Sequence, residues 1–429
     1  MSQQIITERT NLFEPNVYIG MYVEIDGRPP VNLLKEAIQT AFHRNELTMS
    51  KVIMDQTGRA YYQKVEQSGC KVLITDREWK KILEENEKQP FAIKHGELMR
   101  VFVKEDGSIF FMAHHLVGDG KSILLLLQDA LKLLTGNEVQ YKPANIVTEN
   151  FLHKKAKLNF MMRRYISHLN TVWKREGQCY SWDVYDAIHK KYWGGYTSHI
   201  LTHTFSKQET DRIKEMARAA KVTVNSYLIS SILVVRKGVN QVGIAIDIRE
   251  NDHSMSNQVS GTAIPCTYVT RTKIQENAKA IHKNITKILN SPAKKYFVLL
   301  FMTELCPTLI DAVLLAAHGL TQNKTAEKVA YALGYKGKKK RDLGVSNLGV
   351  INIQSDYGKY KIGNITFVPP SVSYAEHIMG ISTINERITI TYHGTKKDED
   401  TSWFEELVCM LKDKITHLSD GIEHFVTRD

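Results

Sequence analysis

The chain has 429 residues, of which 43% are hydrophobic and 24% are charged. This composition is typical of globular proteins and excludes a chain that is disordered, collagen-like or held together by a disulfide scaffold. The length predicts two or three domains. Five cysteines, none of them in a CxxC pair, argue against a zinc ribbon and favour a reducing compartment. The N-terminus shows no apolar core of a secretory signal, so we expect a cytoplasmic protein.

The formal net charge of +11 is compatible with several classes of partner and does not distinguish among them. Nucleic acid, an anionic membrane surface, an acidic carrier protein and a phosphorylated cofactor would each fit a basic protein, and so would simple solubility. The sequence shows no basic module studded with aromatic residues, so we predict no nucleic-acid partner.

Hydrophobic periodicity, taken in chain order, predicts both helices and strands in the first half of the chain. The helices are predicted over 32–42 and 123–134, and the strands over 52–53, 60–65, 98–103 and 108–114. The segment 150–196 is rich in Lys, Arg, Trp and Tyr and lacks a clean period. We therefore predict one helix there, followed by a linker that crosses between the halves.

The second half shows the same mixture. Ser206 and Glu209 form a capping-box pattern that predicts the start of a helix ending near Ala220. Further helices are predicted over 222–235 and 403–415, and strands over 201–205, 242–248, 262–270, 349–353, 365–368, 381–384 and 388–392. The pattern predicts a mixed α/β fold, with one domain over 1–178 and a second over 179–429.

The longest apolar stretch, 297–320, is long enough to resemble a transmembrane segment. Glu304, Pro307 and Asp311 lie in its middle, where charges would be costly in lipid. Because proline interrupts a helix, we predict two buried helices that break near Pro307 and no membrane span.

Residues with reactive side chains are concentrated in the segment 111–122, which begins within the strand predicted over 108–114. His114 and His115 end that strand, and Asp119 and Gly120 form a tight turn before the next helix. A histidine that projects from a strand end into a cleft is well placed for proton transfer near neutral pH. Glycine at such a turn permits backbone angles that other residues avoid.

Three other interpretations use the same residues. Gly120, Lys121 and Ser122 match the end of a Walker A loop, but the first glycine of that motif would fall on His115. His114, His115 and Asp119 suggest a metal site, although adjacent histidines on a strand point to opposite faces. The third interpretation is a pair of ordinary buried histidines beside a turn.

The sequence HHLVGDG, residues 114–120, resembles the HHxxxDG signature of the chloramphenicol acetyltransferase-like acyltransferases. These include nonribosomal peptide condensation domains, alcohol acyltransferases and wax-ester-type enzymes. Other segments resemble stretches of the same superfamily in the same order, namely 42–47, 89–100, 222–226, 247–261 and 345–349. The DFGWG motif of plant members is absent, and the condensation-domain motifs with Tyr-Asp-Tyr and Gln-Asp-Tyr-Pro-Phe are not evident, which favours a standalone acyltransferase.

The resemblance implies two acetyltransferase-like subdomains that form a V, with His115 in a tunnel between them. The implied donor is an acyl thioester on coenzyme A or on the phosphopantetheine of an acyl carrier protein, and the acceptor is an alcohol or amine. No resident cofactor or metal is implied, and we expect a monomer. A catalytically silent module of the same fold that binds a carrier protein is the alternative.

The resemblance also assigns roles to individual residues. It implies that His115 and His114 are catalytic residues, with His115 as the general base, and that Asp119 is structural and pairs with Arg249. Ser346 and Asn347 match a strand that borders the tunnel. The basic run 336–341 is either a solvated loop or a contact for coenzyme A phosphates or an acidic carrier helix, through Lys338, Lys339 and Lys340.

Overall fold

The computed structural model describes residues 3–176, 178–236, 238–250, 252–266, 274–337, 343–373, 375–396 and 400–416. The strands are β1 (Gln3–Gln4), β2 (Tyr18–Asp26), β3 (Ser50–Met54), β4 (Ala60–Lys64), β5 (Lys71–Thr75), β6 (Met99–Lys104), β7 (Ile109–His114), β8 (His199–Thr204), β9 (Gln241–Asp247), β10 (Val259–Pro265), β11 (Leu343–Val350), β12 (Asp356–Tyr357), β13 (Tyr360–Val368), β14 (His377–Ile384) and β15 (Arg387–Gly394).

The helices complete a mixed α/β architecture. They are α1 (Val31–His43), α2 (Trp79–Asn86), α3 (Gly120–Leu134), α4 (Glu149–Lys155), α5 (Phe160–Glu176), α6 (Trp182–Gly195), α7 (Lys207–Ala219), α8 (Val224–Val235), α9 (Ile274–Leu289), α10 (Pro292–Lys295), α11 (Phe297–Glu304), α12 (Pro307–Ala317), α13 (Lys324–Leu333) and α14 (Ser402–Thr416). Short 3₁₀ helices lie at Arg9–Asn11, Leu47–Met49 and Ile93–His95.

Two six-stranded sheets organise the molecule. The first has the order β12-β13-β2-β7-β6-β5, and the second has the order β10-β9-β11-β14-β15-β8. A small third sheet has the order β1-β4-β3. The mixed α/β class predicted from the sequence is confirmed.

The first sheet contains strands from both ends of the chain. β13 pairs antiparallel with β2, in a register that runs from Val368 opposite Gly20 to Lys361 opposite Asp26. β2 in turn pairs with β7, which ends at His114. The division of the chain near residue 178 stays a prediction, but the chain returns after residue 355 to complete the sheet that carries the histidines.

Most predicted elements are present close to their expected bounds, since their apolar residues do face the core. α1 buries Leu34, Ala37, Ile38 and Phe42, which recur at helical spacing. The Ser206 capping box is formed by both of its hydrogen bonds at the start of α7.

Three predictions differ from the structure. The segment predicted as one helix and a linker forms α4, α5 and α6; α5 buries only Ile166, Leu169 and Trp173, so its narrow apolar stripe hides the helical period. The strand predicted over 349–353 is β11, which ends at Val350. The strand predicted over 262–270 is β10, and positions 267–270 lie outside the described residues.

The long apolar stretch forms α11 and α12, which meet at a bend of 109°, so the predicted break near Pro307 is confirmed. Among the described residues, no single helix is long and apolar enough to cross a membrane. Asp311 on α12 is 1% exposed and forms an ion pair with Arg9, which accounts for a charge within this buried helix.

Candidate active site

A cavity of about 460 Å³ lies where the first sheet meets elements of the second half. This volume is in the range of small-molecule sites. Five sequence-predicted site residues line it: His115, Asp119 and Gly120 from the first half, and Ser346 and Asn347 from β11. The remaining wall is mainly apolar.

The local backbone explains why His115 faces this cavity. β7 ends at His114, and the His115 N–H then donates to the Val17 carbonyl at 3.1 Å, ahead of β2. Gly118 follows with a φ of +148°, and a Cβ there would lie 2.4 Å from the Ser122 side chain. Only glycine therefore fits the turn that separates the histidines from α3.

The environment of His115 favours the neutral imidazole. Burial lowers the pKa of His115 below its ordinary value, while the charge of Asp119 and the backbone carbonyl of His115 itself oppose that shift. Nδ1 is buried and completes no hydrogen bond with the described residues. Because the ring as a whole is only partly buried, we infer that its Nε2 edge faces the cavity. A neutral ring with an accessible nitrogen can accept a proton.

His114 occupies a different environment and does not line the cavity. Its ring is completely buried and packs near Tyr18 and Phe91, and its Nδ1 accepts the Leu116 N–H at 3.2 Å. Burial, with smaller contributions from His115 and His189, lowers the pKa of His114 to about 3. The two adjacent histidines therefore have different environments. His114 stabilises the turn through its hydrogen bond and is not positioned to contact a substrate.

Asp119 and Arg249 form the ion pair expected from the sequence. The Arg249 guanidinium lies 3.2 Å from Asp119 Oδ2, and the side chains are 7% and 3% exposed. Asp119 also caps α3 by accepting the Ser122 N–H at 3.0 Å, and it accepts the Gln258 N–H at 3.0 Å. Arg249 also donates to the Ser256 carbonyl at 2.8 Å. With every acceptor engaged, this carboxylate has a structural position: it joins the turn of the first half to the loop after β9.

The second-half residues also have fixed surroundings. Asn347 Nδ2 donates to the side-chain oxygen of Asn225 at 3.0 Å, and Asn347 Oδ1 accepts the Gly349 N–H at 2.7 Å. Ser346 is partly buried on the cavity wall. Gly120 is required by packing, because a Cβ there would lie 2.9 Å from side-chain atoms of both Leu348 and Phe367.

Lys338, Lys339 and Lys340 lie outside the described residues. Within the part of the chain that is described, no group of three His, Cys, Asp or Glu side chains is arranged to hold a metal ion.

Sequence reasoning missed Glu8, which lines the cavity with His115 and Asp119. Burial raises the pKa of Glu8 to about 8, a hydrogen bond with Tyr62 opposes the rise, and Asp119 adds to it. Glu8 lies more than 100 residues before the histidines and belongs to no recognisable motif. No signal in the single sequence connects it to them.

No family model matches the chain, and no curated protein matches it by sequence. Solved structures do resemble it. Polyketide synthase associated protein 5 from Mycobacterium tuberculosis is 12% identical, over 97% of this chain and 100% of that chain, with a TM-score of 0.65. The first condensation domain of the CDA synthetase is 12% identical, over 97% and 96% of the two chains, with a TM-score of 0.62. TRI3 trichothecene 15-O-acetyltransferase from Fusarium sporotrichioides is 10% identical, over 96% and 94%, with a TM-score of 0.66. The chain therefore has the fold of the chloramphenicol acetyltransferase-like acyltransferases and condensation domains, as its motifs predict.

Proposed function

We propose that the protein is an acyltransferase that moves an acyl group from a thioester to an alcohol or amine, with His115 as the general base. The observation that carries this proposal is a largely neutral imidazole on the wall of a cavity between the two halves of the chain. The names of the similar structures, an acetyltransferase and a condensation domain, support acyl transfer as the reaction class.

In the proposed reaction, Nε2 of His115 accepts the proton of the acceptor O–H or N–H as that atom attacks the thioester carbonyl. The tetrahedral intermediate then expels the thiolate, which takes the proton from the imidazolium, so the histidine is regenerated. General-base catalysis of this kind contributes about 10² to 10⁴ in rate, or roughly 3 to 5 kcal/mol of barrier. We assign the Ser346 hydroxyl, which lines the same cavity, as a donor to the developing oxyanion.

The apolar wall favours an uncharged acyl group. Apolar side chains of α11 and α13 contribute to the lining of the cavity, namely Val298, Leu299, Met302 and Leu333. Burial of aliphatic carbon against such a wall stabilises binding by about 0.8 kcal/mol for each CH₂ group. We therefore propose an aliphatic acyl chain that lies along α11, with coenzyme A or a carrier-protein phosphopantetheine as the thiol.

The test is incubation of the protein with acyl-CoAs and acyl carrier proteins of increasing chain length, together with alcohol and amine acceptors. Product is detected by mass spectrometry and free thiol by a colorimetric reagent. His115→Gln should reduce turnover by about 10² to 10⁴, whereas His43→Gln, at an exposed histidine, should not. Normal turnover by His115→Gln would contradict the assignment. Tight binding of an acyl carrier protein without thiol release would instead support the silent binding module.

A further inference from the structure

Glu8 and Tyr62 form a buried connection to the turn that carries His115. Their exposed fractions are 2% and 3%. The Tyr62 hydroxyl lies 2.6 Å from Glu8 Oε2 and 2.8 Å from the Leu116 carbonyl oxygen. Leu116 directly follows His115, so this hydroxyl holds the carbonyl group of the residue after the proposed base.

The number of hydrogens available for the two contacts of the Tyr62 hydroxyl determines whether Glu8 must be protonated. A phenol has one hydrogen to donate, and a carbonyl oxygen can only accept. Both short contacts are satisfied together only when Tyr62 donates to Leu116 and a protonated Glu8 donates to Tyr62. An ionised Glu8 would compete with the Leu116 carbonyl for the single phenolic hydrogen, and one buried acceptor would lose its partner.

The surroundings of Glu8 keep it neutral. Burial raises its pKa to about 8, and the negative charge of Asp119 adds to the rise. The Tyr62 hydrogen bond and the backbone N–H of Asn257 oppose part of this shift. The neighbouring guanidinium of Arg9 is directed to Asp311 and the Gly58 carbonyl. Burial and the charge of Glu8 also raise the pKa of Tyr62 well above its ordinary value, so the phenol stays protonated.

We infer that Glu8 is a positioning residue, which in its neutral form holds the Leu116 peptide through Tyr62 and so fixes His115, and that deprotonation of Glu8 releases this hold. The inference rests on the proposed function of His115 as the base. It predicts a pH profile with two limbs. Activity rises with pH below the ordinary pKa of histidine, as His115 loses its proton, and it falls above about pH 8, as Glu8 loses its own.

Glu8→Gln removes the ionisable group of Glu8 but keeps the size and shape of its side chain. The amide can still donate to the Tyr62 oxygen but cannot ionise. The wild-type kcat should fall by up to about tenfold per pH unit above pH 8, while the kcat of Glu8→Gln should stay level over the same alkaline range. Tyr62→Phe should lower kcat by about 10- to 100-fold at pH 7, because a displaced base is costly, and its difference from wild type should shrink above pH 8, where wild type loses the same hold. Glu84→Gln is the matched control, since the Glu84 pKa is also raised but Glu84 does not line the cavity. It should keep the wild-type profile.

A second measurement does not depend on catalysis. Infrared difference spectra of wild type minus Glu8→Gln should show the carbonyl stretch of a buried carboxylic acid at pH 7, and this band should disappear by pH 9.5. An alkaline limb that survives in Glu8→Gln, or the absence of the band at pH 7, would overturn the inference. A clear band in a protein whose His115→Gln variant turns over normally would leave the protonated Glu8 in place and refute the proposed function instead.

Discussion

Replacing Asp119 with alanine removes a carboxylate that serves two parts of the molecule at once. It leaves the Arg249 guanidinium, whose side chain is 7% exposed, without its counter-charge. Removing one partner of a buried pair costs about 3–5 kcal/mol. It also removes the N-cap of α3, which costs about 1 kcal/mol more. We expect Asp119→Ala to lower the free energy of unfolding by about 4–6 kcal/mol, and Asp119→Asn by about 1 kcal/mol less, because asparagine also caps helices.

Urea unfolding followed by tryptophan fluorescence measures these changes. The nearby exposed ion pair of Lys121 with Asp247 is the control, because it joins the same two elements with side chains 42% and 37% exposed. Lys121→Ala should cost less than about 1 kcal/mol. In a double-mutant cycle, Asp119→Ala with Arg249→Met should lose less than the two single changes added together, by about 1–3 kcal/mol. If Asp119→Ala were no more destabilising than Lys121→Ala, the structural role of the pair would be refuted.

Two further predictions concern packing and pH. Gly120→Ala places a methyl group 2.9 Å from Leu348 and should lower the free energy of unfolding by about 1–3 kcal/mol. The control is Gly194→Ala in α6, where the added methyl group meets no atom within 4 Å and should be neutral or stabilising. Equal losses of stability in the two variants would contradict the packing role of Gly120. Burial disfavours the charged form of His393, but the Glu87 carboxylate at 3.2 Å and the Pro369 carbonyl together outweigh it and raise the pKa of His393. The pair therefore contributes stability that is full below the ordinary histidine pKa and is lost as pH rises through the folded pKa. The melting temperature should fall over that window, and His393→Gln should flatten the fall; an unchanged slope would exclude this pair as its cause.

The sequence predicted the turn that carries the site well, because its chemistry is local. His115, Asp119 and Gly120 are close in the chain, and a strand, a tight turn and a helix follow one another between Ile109 and Leu134. The pairing of Asp119 with Arg249, 130 residues apart, was accessible only through the family resemblance. No periodicity or spacing within one chain reports such a contact.

The central strand β2 was missed because its burial does not follow one period along its whole length. Its first four positions are all buried and alternation begins only at Tyr22, and its glycine and polar residues conceal a central strand. Glu8 was missed for a related reason. A single acidic residue near the N-terminus is ordinarily exposed, and only the packing of Tyr62 and the β7–α3 turn around it gives it a distinct environment.

The same long-range contacts explain why the site depends on both halves of the chain. β13, which lies after residue 355 in the chain, pairs with β2 in the first sheet. Phe367 near the end of β13 packs against Gly120, where an added side chain would collide with it. On the other side of the turn, Arg249 and Ser256 bind the first turn of α3 through Asp119 and Ser122. Each contact restrains the short segment between His115 and α3 from a different direction. The position of the imidazole therefore depends on residues from outside this segment, and substitutions at these positions should reduce stability and, on the proposed function, turnover together.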